Sequence, residues 1–278
     1  MNNCVKRYIE MKNSYPELTK EIPSEIKNVI YNVLYGYAEN NKSLFDRLDK
    51  IVWTDFSNEK IDEYERMKSD IGYYFLEIID TSKNCIKLFS LIDFLLQEIV
   101  SLNEKEGNIP NFADELNRRF EKANFGYRII SNQITPITDS NEIKEIEEAV
   151  KNVSVNIKEH LNSAIYELSN LSNPNYRKSV NESISAVEAF CYKYTKETVL
   201  SDALKKINKK NNLHPQLIKA FENLYYYSSE KKTGIRHGRT VEDSKLVPTY
   251  YEAKFMLTAC SAFINYIKGK FSEDLENT

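Results

Sequence analysis

The chain has 278 residues, of which 41% are hydrophobic and 28% are charged. This composition is typical of a folded protein and excludes a largely disordered one, and the length suits two domains of moderate size. The first 15 residues carry Lys6, Arg7, Glu10 and Lys12 without an apolar run, so we expect no secretory signal peptide. The most apolar stretches are amphipathic or too short to cross a bilayer, so we expect no membrane partner.

The charge is divided unevenly along the chain. The net charge is −3, with 19 basic and 27 acidic residues in 1–150 and 19 basic and 14 acidic residues in 151–278. The second part is therefore mildly basic, which permits contact with a phosphate backbone. It falls short of the strongly basic composition of dedicated nucleic-acid-binding proteins.

The cysteines favour a reducing, cytoplasmic location. They lie too far apart for a Cys-x-x-Cys site, and most of them sit in apolar stretches, as buried free thiols do. The four are Cys4, Cys85, Cys191 and Cys260.

Apolar residues at helical spacing predict a mainly α-helical first part. The first helix is expected to begin after Ser24 as its N-cap, and later helices are predicted over 61–79, over 85–100 and from Pro110. The helix over 85–100 is apolar nearly all round, which predicts that it forms the core of this part. Three polar side chains interrupt it: Lys87, Asp93 and Gln97.

A β-hairpin is predicted near 127–137. Gly126–Ile130 and Gln133–Ile137 are short β-prone runs, separated by Ser131-Asn132. Asparagine tolerates the positive φ that a two-residue hairpin turn requires. We expect this hairpin to be the only sheet in a mainly α fold.

One long helix is predicted over 142–168. Asp139 and Glu142 have the spacing of a capping box, and the apolar residues that follow keep a helical rhythm. We expect this helix to connect a first domain, 1–141, to a second, 142–278.

The second domain is predicted to be a helical bundle. A helix after Asn175 carries Arg177, Ile184 and Glu188 within about 40° of one another, so both charges lie in its apolar arc. On another face of this helix Glu182 shares a stripe with two alanines, which suits close helix approach within the domain or between copies. Shorter helices are predicted over 200–207 and after Pro215.

The last predicted helix begins at a second capping box, formed by Thr249 and Glu252. Its residues 255–264 carry no charge. We therefore expect it to be central to the second domain.

The most unusual segment is Gly234-Ile235-Arg236-His237-Gly238. Glycine is scarce, with seven in the chain, so two around one tripeptide indicate a sharp turn or a close approach. An arginine can grip a phosphate bidentately, and a histidine can exchange a proton near neutral pH. Together they suffice for metal-free RNA cleavage to a cyclic phosphate. Further basic residues flank the segment: Lys231, Lys232 and Arg239.

A structural interpretation of the same segment stays open. Arg236 can bond a helix C-terminus or a buried acid such as Glu188, while His237 caps or packs, and residue types alone favour this interpretation because ion pairs also concentrate charge. Tyr226, just before the basic residues, can stack on a base, although such residues more often anchor a helix end.

Other catalytic devices are absent from the sequence. His160 is expected to be a packed or surface residue, and His214 is expected to lie at the start of a helix before Pro215. Three scattered histidines without a cysteine pair predict no metal site. We also find no phosphate-binding glycine loop, dinucleotide fingerprint or Gly-x-Ser-x-Gly motif, so no cofactor is expected.

Separate runs along the chain carry a family resemblance. In the first part they are Ile30–Leu34, Arg118–Phe120, Phe125–Ile130, Ile134–Thr138 and Glu142–Glu147. These resemble the N-terminal domain of AbiJ-type abortive-infection proteins. The second part resembles a HEPN domain through Tyr176-Arg177, Glu182–Ala189, His214-Pro215, Leu224-Tyr225, Gly234–His237 and Glu252–Leu257.

The resemblance implies an antiphage defence protein with a HEPN-like bundle of four to five helices. Such bundles often pair as homodimers, and their superfamily contains many metal-independent ribonucleases. In that family the arginine and histidine stand several positions apart, whereas Arg236 and His237 are adjacent, so ribonuclease activity stays open. On this hypothesis His237 transfers the proton, Arg236 holds the phosphate and Glu188 orients one of them. RNA would be bound by Lys231, Lys232, Arg239 and Tyr226.

Two alternatives remain at this point. The first is a non-catalytic HEPN-like module that binds a nucleotide, an RNA or a partner protein. The second is an antitoxin-like or scaffold role. The RNA target and the phage or host trigger are not encoded in any recognisable motif.

Overall fold

The computed structural model describes residues 22–83, 85–106, 112–137, 139–170, 173–211, 213–229, 235 and 247–270, with 103–106 and 210–211 described by their backbone alone. The chain divides into two compact units, Met1–Pro136 and Ile137–Thr278. The mainly α-helical fold with one small antiparallel hairpin, as predicted, is confirmed.

The first unit contains six helices and one hairpin among its described residues. The helices are α1 Ser24–Asn40, α2 Lys42–Ile51, α3 Tyr64–Ile71, α4 Tyr74–Thr81, α5 Cys85–Glu106 and α6 Ala113–Lys122, and the strands are β1 Arg128–Ile130 and β2 Gln133–Thr135. A π-helical turn over Val52–Phe56 and a 3-10 turn over Ile61–Glu63 lie between α2 and α3.

The start of α1 differs from the prediction. Ser24 is the first helical residue, and the N-cap is Pro23, with φ −55° and ψ 136° and no side-chain cap. The Pro23 carbonyl accepts the N–H groups of Ile26 at 2.9 Å and Lys27 at 3.2 Å. Pro23 therefore occupies the N-cap position, with the fixed φ of proline, and Ser24 is already within the helix.

The helix predicted over 61–79 is in fact a 3-10 turn followed by two helices. Gly72 has φ 77° and ψ −127°, a backbone conformation that essentially only glycine adopts, and its N–H closes α3 on the carbonyl of Lys68 at 3.0 Å. The chain therefore changes direction at Gly72 before α4 begins.

The hairpin forms where it was predicted, with Ile129 opposite Ile134. Ser131 and Asn132 both have positive φ, 49° and 62°, as the two central residues of a type I′ turn do. The core around it is aromatic, since Phe89 of α5 packs edge-on against Tyr127 with ring centroids 4.9 Å apart.

The second unit contains six helices among its described residues. They are α7 Ser140–Val150, α8 Val155–Ser169, α9 Tyr176–Thr195, α10 Leu200–Asn211, α11 Pro215–Ser229 and α12 Tyr250–Lys270. Helix α9 packs against α8, α12 and α10, and α12 also packs against α7 and α8. The central position expected for α12 is confirmed by its buried Met256, Leu257, Phe263 and Ile264.

The single helix predicted over 142–168 is wrong, because α7 and α8 are separate. Asn152 between them has φ 56°, a left-handed conformation that asparagine tolerates and that interrupts the helical hydrogen bonds. Both helices lie in the second unit. The predicted cap at the start of α7 is confirmed, since the Asp139 carboxylate accepts the N–H groups of Asn141 at 2.9 Å and Glu142 at 3.1 Å.

Two further local predictions are confirmed in this unit. Glu252 accepts the Thr249 N–H at 2.8 Å and also bonds the Thr249 hydroxyl, as a capping box requires. His214 lies at the start of α11, where its Nδ1 accepts the N–H of Gln216 at 3.2 Å.

The cysteines that the structure describes are buried and form no disulfide with one another, as expected: Cys85, Cys191 and Cys260. Burial raises the pKa of Cys191 and of Cys260 to about 12, so these thiols are protonated and unreactive at neutral pH. Cys4 lies outside the described residues.

Candidate functional site

Most of the predicted Arg-His site lies outside the described residues. This applies to Lys231, Lys232, Arg236, His237 and Arg239, and their placement stays a prediction. Ile235, at the centre of the segment, is described in a turn and is buried, with 9% of its surface exposed. This apolar side chain therefore packs against other residues of the protein.

Tyr226 lies near the C-terminal end of α11 with 58% of its surface exposed. Its ring meets Tyr225 edge-on, with centroids 5.9 Å apart. A solvent-accessible ring in this position presents a face on which a base can stack.

Glu188 is half-buried on α9, on the same side of the helix as Arg177. The two residues are three helical turns apart, about 16 Å along the axis, so they cannot pair with each other. Together with the dominant effect of burial, the charge of Glu188 raises the pKa of Cys191 one turn further on. The Arg177 Nε is buried and has no hydrogen-bond partner among the described residues.

A histidine–carboxylate pair joins α8 to α9. His160 Nδ1 donates to Glu182 Oε2 at 2.7 Å, and the side chains are 32% and 18% exposed. The sequence does not link His160 to Glu182, because they are 22 positions apart and belong to different helices. The small-residue stripe around Glu182 was the available signal, since it indicated close helix approach.

Further contacts show how closely α8 and α9 approach. The Ser179 hydroxyl donates to the carbonyl of Ala164 at 2.8 Å, and Lys178 Nζ lies 2.6 Å from Glu167 Oε1. A side chain as short as serine reaches the opposite backbone only where two helices pack tightly. The intradomain interpretation of the stripe is thus supported at this interface.

The His160–Glu182 pair can do two things chemically. It fixes the register of α8 against α9, and a histidine oriented by a carboxylate is also the arrangement that proteins use to move a proton. Glu188 belongs to a different face of α9, because Glu182 and Glu188 are about 240° apart around the helix. The two acids therefore serve different sites.

Metal ligands do not gather anywhere in the part of the chain that the structure describes, where no group of three His, Cys, Asp or Glu side chains is placed to hold an ion. Among the same residues, no helix combines the length and the apolar character needed to cross a membrane.

Comparison with known families identifies the first part of the chain. The family described as AbiJ N-terminal domain 4 matches residues 7–152, just over half of the sequence, and so confirms the AbiJ-type part of the resemblance. The match ends at Asn152, in the turn between α7 and α8. No curated protein and no solved structure matches the chain. The family indicates a context of abortive-infection defence, and the chain belongs to the AbiJ N-terminal domain 4 family.

Proposed function

We propose that this protein is an abortive-infection effector whose second unit binds RNA and cleaves it without a metal ion. The family membership supports the defence context. The observation that carries the RNA proposal is the exposed ring of Tyr226 near the end of α11, immediately before the basic residues that begin at Lys231.

Binding would combine stacking with charge. α11 ends at Ser229, so Lys231 and Lys232 follow Tyr226 within a few residues. With a base stacked on the tyrosine, these lysines and Arg239 would bind the phosphates of the same RNA strand. Stacking on an aromatic ring is worth about 1–3 kcal/mol per base and is largely independent of sequence.

Cleavage would follow from general acid–base chemistry. His237 takes the proton from a ribose 2′-hydroxyl, and the 2′-oxygen then attacks the adjacent phosphorus while Arg236 stabilises the charge that develops on the phosphate. The bond to the 5′-oxygen breaks, and this oxygen leaves as a hydroxyl after receiving a proton. If two copies pair through the HEPN-like unit, His237 of the second copy supplies that proton. Glu188 orients the His237 that acts as the general base.

The test is an RNA cleavage assay in EDTA with the full chain and a structured RNA. We expect fragments with cyclic phosphate ends that disappear in His237→Ala and Arg236→Ala. His214→Ala is the matched control, because His214 lies at the far end of α11, about 18 Å along the axis from Tyr226. Cleavage that survives in His237→Ala, or no cleavage even during phage infection, would contradict the enzymatic proposal.

A non-catalytic module is the second candidate, and binding measurements separate the two. If the unit binds RNA without cutting it, Tyr226→Ala should weaken binding while the RNA stays intact. Tyr166→Ala is the control, since Tyr166 on α8 is similarly exposed at 54%. Growth arrest on induction, lost in His237→Ala, supports the effector and argues against an antitoxin-like or scaffold role.

A further inference from the structure

The first unit contains a cleft between its first four helices. Its volume is about 380 Å³, within the range of small-molecule sites. The residues that define this α1–α4 cleft are Tyr31 and Tyr35 of α1, Asp46 of α2, Lys68 of α3, Tyr73 between α3 and α4, and Glu77 of α4. The chain turn at Gly72 forms part of its rim.

One wall of the cleft is aromatic. Tyr31 and Tyr35 are one helical turn apart on α1, with ring centroids separated by 6.2 Å and planes inclined by 9°. Tyr73, from the turn before α4, stacks against the buried Phe75 with centroids 5.2 Å apart. Packing on Phe75 holds the Tyr73 ring in place. Aromatic faces carry partial negative charge and attract cations.

Lys68 shows which kind of group the cleft stabilises. Its ammonium lies 2.6 Å from Asp46 Oδ1 and 5.6 Å from the centroid of the Tyr73 ring. A second ring, that of Tyr64, lies 5.9 Å from the same nitrogen. One primary ammonium is therefore already held in the cleft by a carboxylate and two aromatic rings.

The remaining charge of the cleft favours a further cation. Its lining contains four acids and two lysines, and the Asp46–Lys68 pair neutralises one of each. Glu39, Glu77 and Asp80 then outnumber Lys42, the other lysine of the lining, and Lys27 lies outside the lining with its Nζ donating to the Asp80 carbonyl at 3.0 Å. This excess of negative charge disfavours a nucleotide or another phosphate ligand and attracts an amine.

We infer that the α1–α4 cleft binds an alkyl ammonium ligand, that is, a primary amine on an apolar stem. The ammonium is placed between Glu77 and the Tyr31–Tyr35 rings, by the same chemistry that holds Lys68. The stem lies against Ile71 and Leu76, the apolar residues of the lining. A free polyamine and a lysine side chain of a partner protein both present this group.

Binding is tested by calorimetric titration of the full chain with spermidine and, separately, with a short peptide that contains one lysine. We expect saturable binding that falls by about three- to tenfold in Glu77→Gln and in Tyr35→Ala, since each removes one favourable contact of the ammonium. Lys42→Gln should strengthen binding by removing a like charge. The same peptide with an acetylated lysine, its N-terminus being acetylated in both forms, has no ammonium group and should not bind.

Asp62→Asn is the matched control, because Asp62 is an exposed acid outside the cleft lining. Glu39→Gln provides a second, exposed test position if Glu77→Gln unfolds the protein, as judged by circular dichroism. Tighter binding of spermidine identifies a free amine as the ligand, and tighter binding of the peptide identifies a protein. The inference is overturned if neither probe saturates, if Asp62→Asn weakens binding as much as Glu77→Gln, or if inorganic phosphate binds more tightly.

Discussion

The Asp93 carboxylate accepts the backbone N–H of Ile134 at 2.8 Å, which ties α5 to the outer edge of β2. On the opposite edge, Asn117 of α6 accepts the N–H of Ile129 at 2.7 Å and donates to its carbonyl at 2.8 Å. A two-stranded sheet has unpaired backbone groups along both edges, and here helix side chains satisfy those of Ile129 and the N–H of Ile134. This contact explains why Asp93 interrupts an otherwise apolar helix.

The first prediction concerns this contact. Asp93→Ala removes the acceptor and leaves the Ile134 N–H unpaired, whereas Asp93→Asn keeps an oxygen in the same place. We therefore expect the alanine variant to be less stable than the asparagine variant by about 1–2 kcal/mol, measured by urea unfolding at neutral pH. Equal stability of the two variants would show that the hydrogen bond does not hold the hairpin.

The second prediction concerns pH. Burial raises the pKa of Asp93 to about 7, and burial likewise raises the pKa of Asp49 to about 6, although hydrogen bonds from Phe75 and Tyr64 oppose the shift at Asp49. Both acids hold their proton more tightly in the folded chain than in the unfolded one. Their contribution to stability is therefore largest below pH of about 4, falls as the pH rises to about 7, and is constant above.

Urea midpoints between pH 5 and pH 8 measure this effect. Asp93→Asn should flatten the fall in stability, by an amount on the order of 1 kcal/mol across this range. Glu115→Gln is the control, because side-chain hydrogen bonds from Arg118 and Arg119 lower the pKa of Glu115 to about 2, far below the range. An unchanged profile in Asp93→Asn would contradict the prediction.

The elements that the sequence predicts correctly are those set by contacts between residues close together in the chain. The hairpin and the caps at Asp139 and Thr249 were predictable, since each is set by residues within a few positions. The breaks at Gly72 and Asn152 were missed because apolar periodicity continues on both sides of them. The spacing of apolar residues does not predict the φ angle of a single residue.

The candidate sites show the same limit. Asp93 was visible as an interruption of α5, but its partner Ile134 is 41 positions away. The α1–α4 cleft draws its lining from four helices and from the turn between α3 and α4. Only the packing of these helices brings the residues together.

The third prediction uses two glycines. Gly72 has φ 77°, and a methyl group added to its Cα would meet open space, so the cost of Gly72→Ala comes from the backbone conformation alone. We expect a loss of about 1–3 kcal/mol. Gly36 lies inside α1, also with open space, so Gly36→Ala should stabilise the protein by about 0.5–1 kcal/mol. Thermal unfolding compares the two, and a stabilising Gly72→Ala would contradict the assigned turn.

The fourth prediction concerns the boundary between the two parts of the chain. The family match includes α7, yet α7 packs against α12 of the second unit. Lys254 Nζ lies 2.9 Å from the Glu142 carboxylate, and Asn265 Nδ2 donates to the Glu145 carbonyl at 2.9 Å. Ile146 and Ala149 are fully buried. Part of the matched segment is thus structurally part of the second unit.

Two fragments test this relationship. The fragment 137–278 keeps α7 and should unfold cooperatively in urea. The fragment 153–278 exposes the face of α12 that α7 covers, and we expect it to aggregate or to unfold without a cooperative transition, as measured by circular dichroism and size-exclusion chromatography. Equal stability of the two fragments would show that α7 contributes nothing to the second unit.

The last prediction separates the roles of two histidines. If the His160–Glu182 pair serves helix packing, His160→Ala should destabilise the protein by about 0.5–1.5 kcal/mol, and a double-mutant cycle with Glu182→Gln should show coupling. His160→Asn keeps an N–H donor in place of Nδ1 but cannot act as a general acid or base. It should therefore restore stability and leave RNA cleavage and growth arrest unchanged, whereas His237→Ala abolishes both. A stable His160→Asn variant without cleavage would instead assign the proton transfer to the α8–α9 pair, because the variant differs from the native chain only in the ability of that residue to exchange a proton.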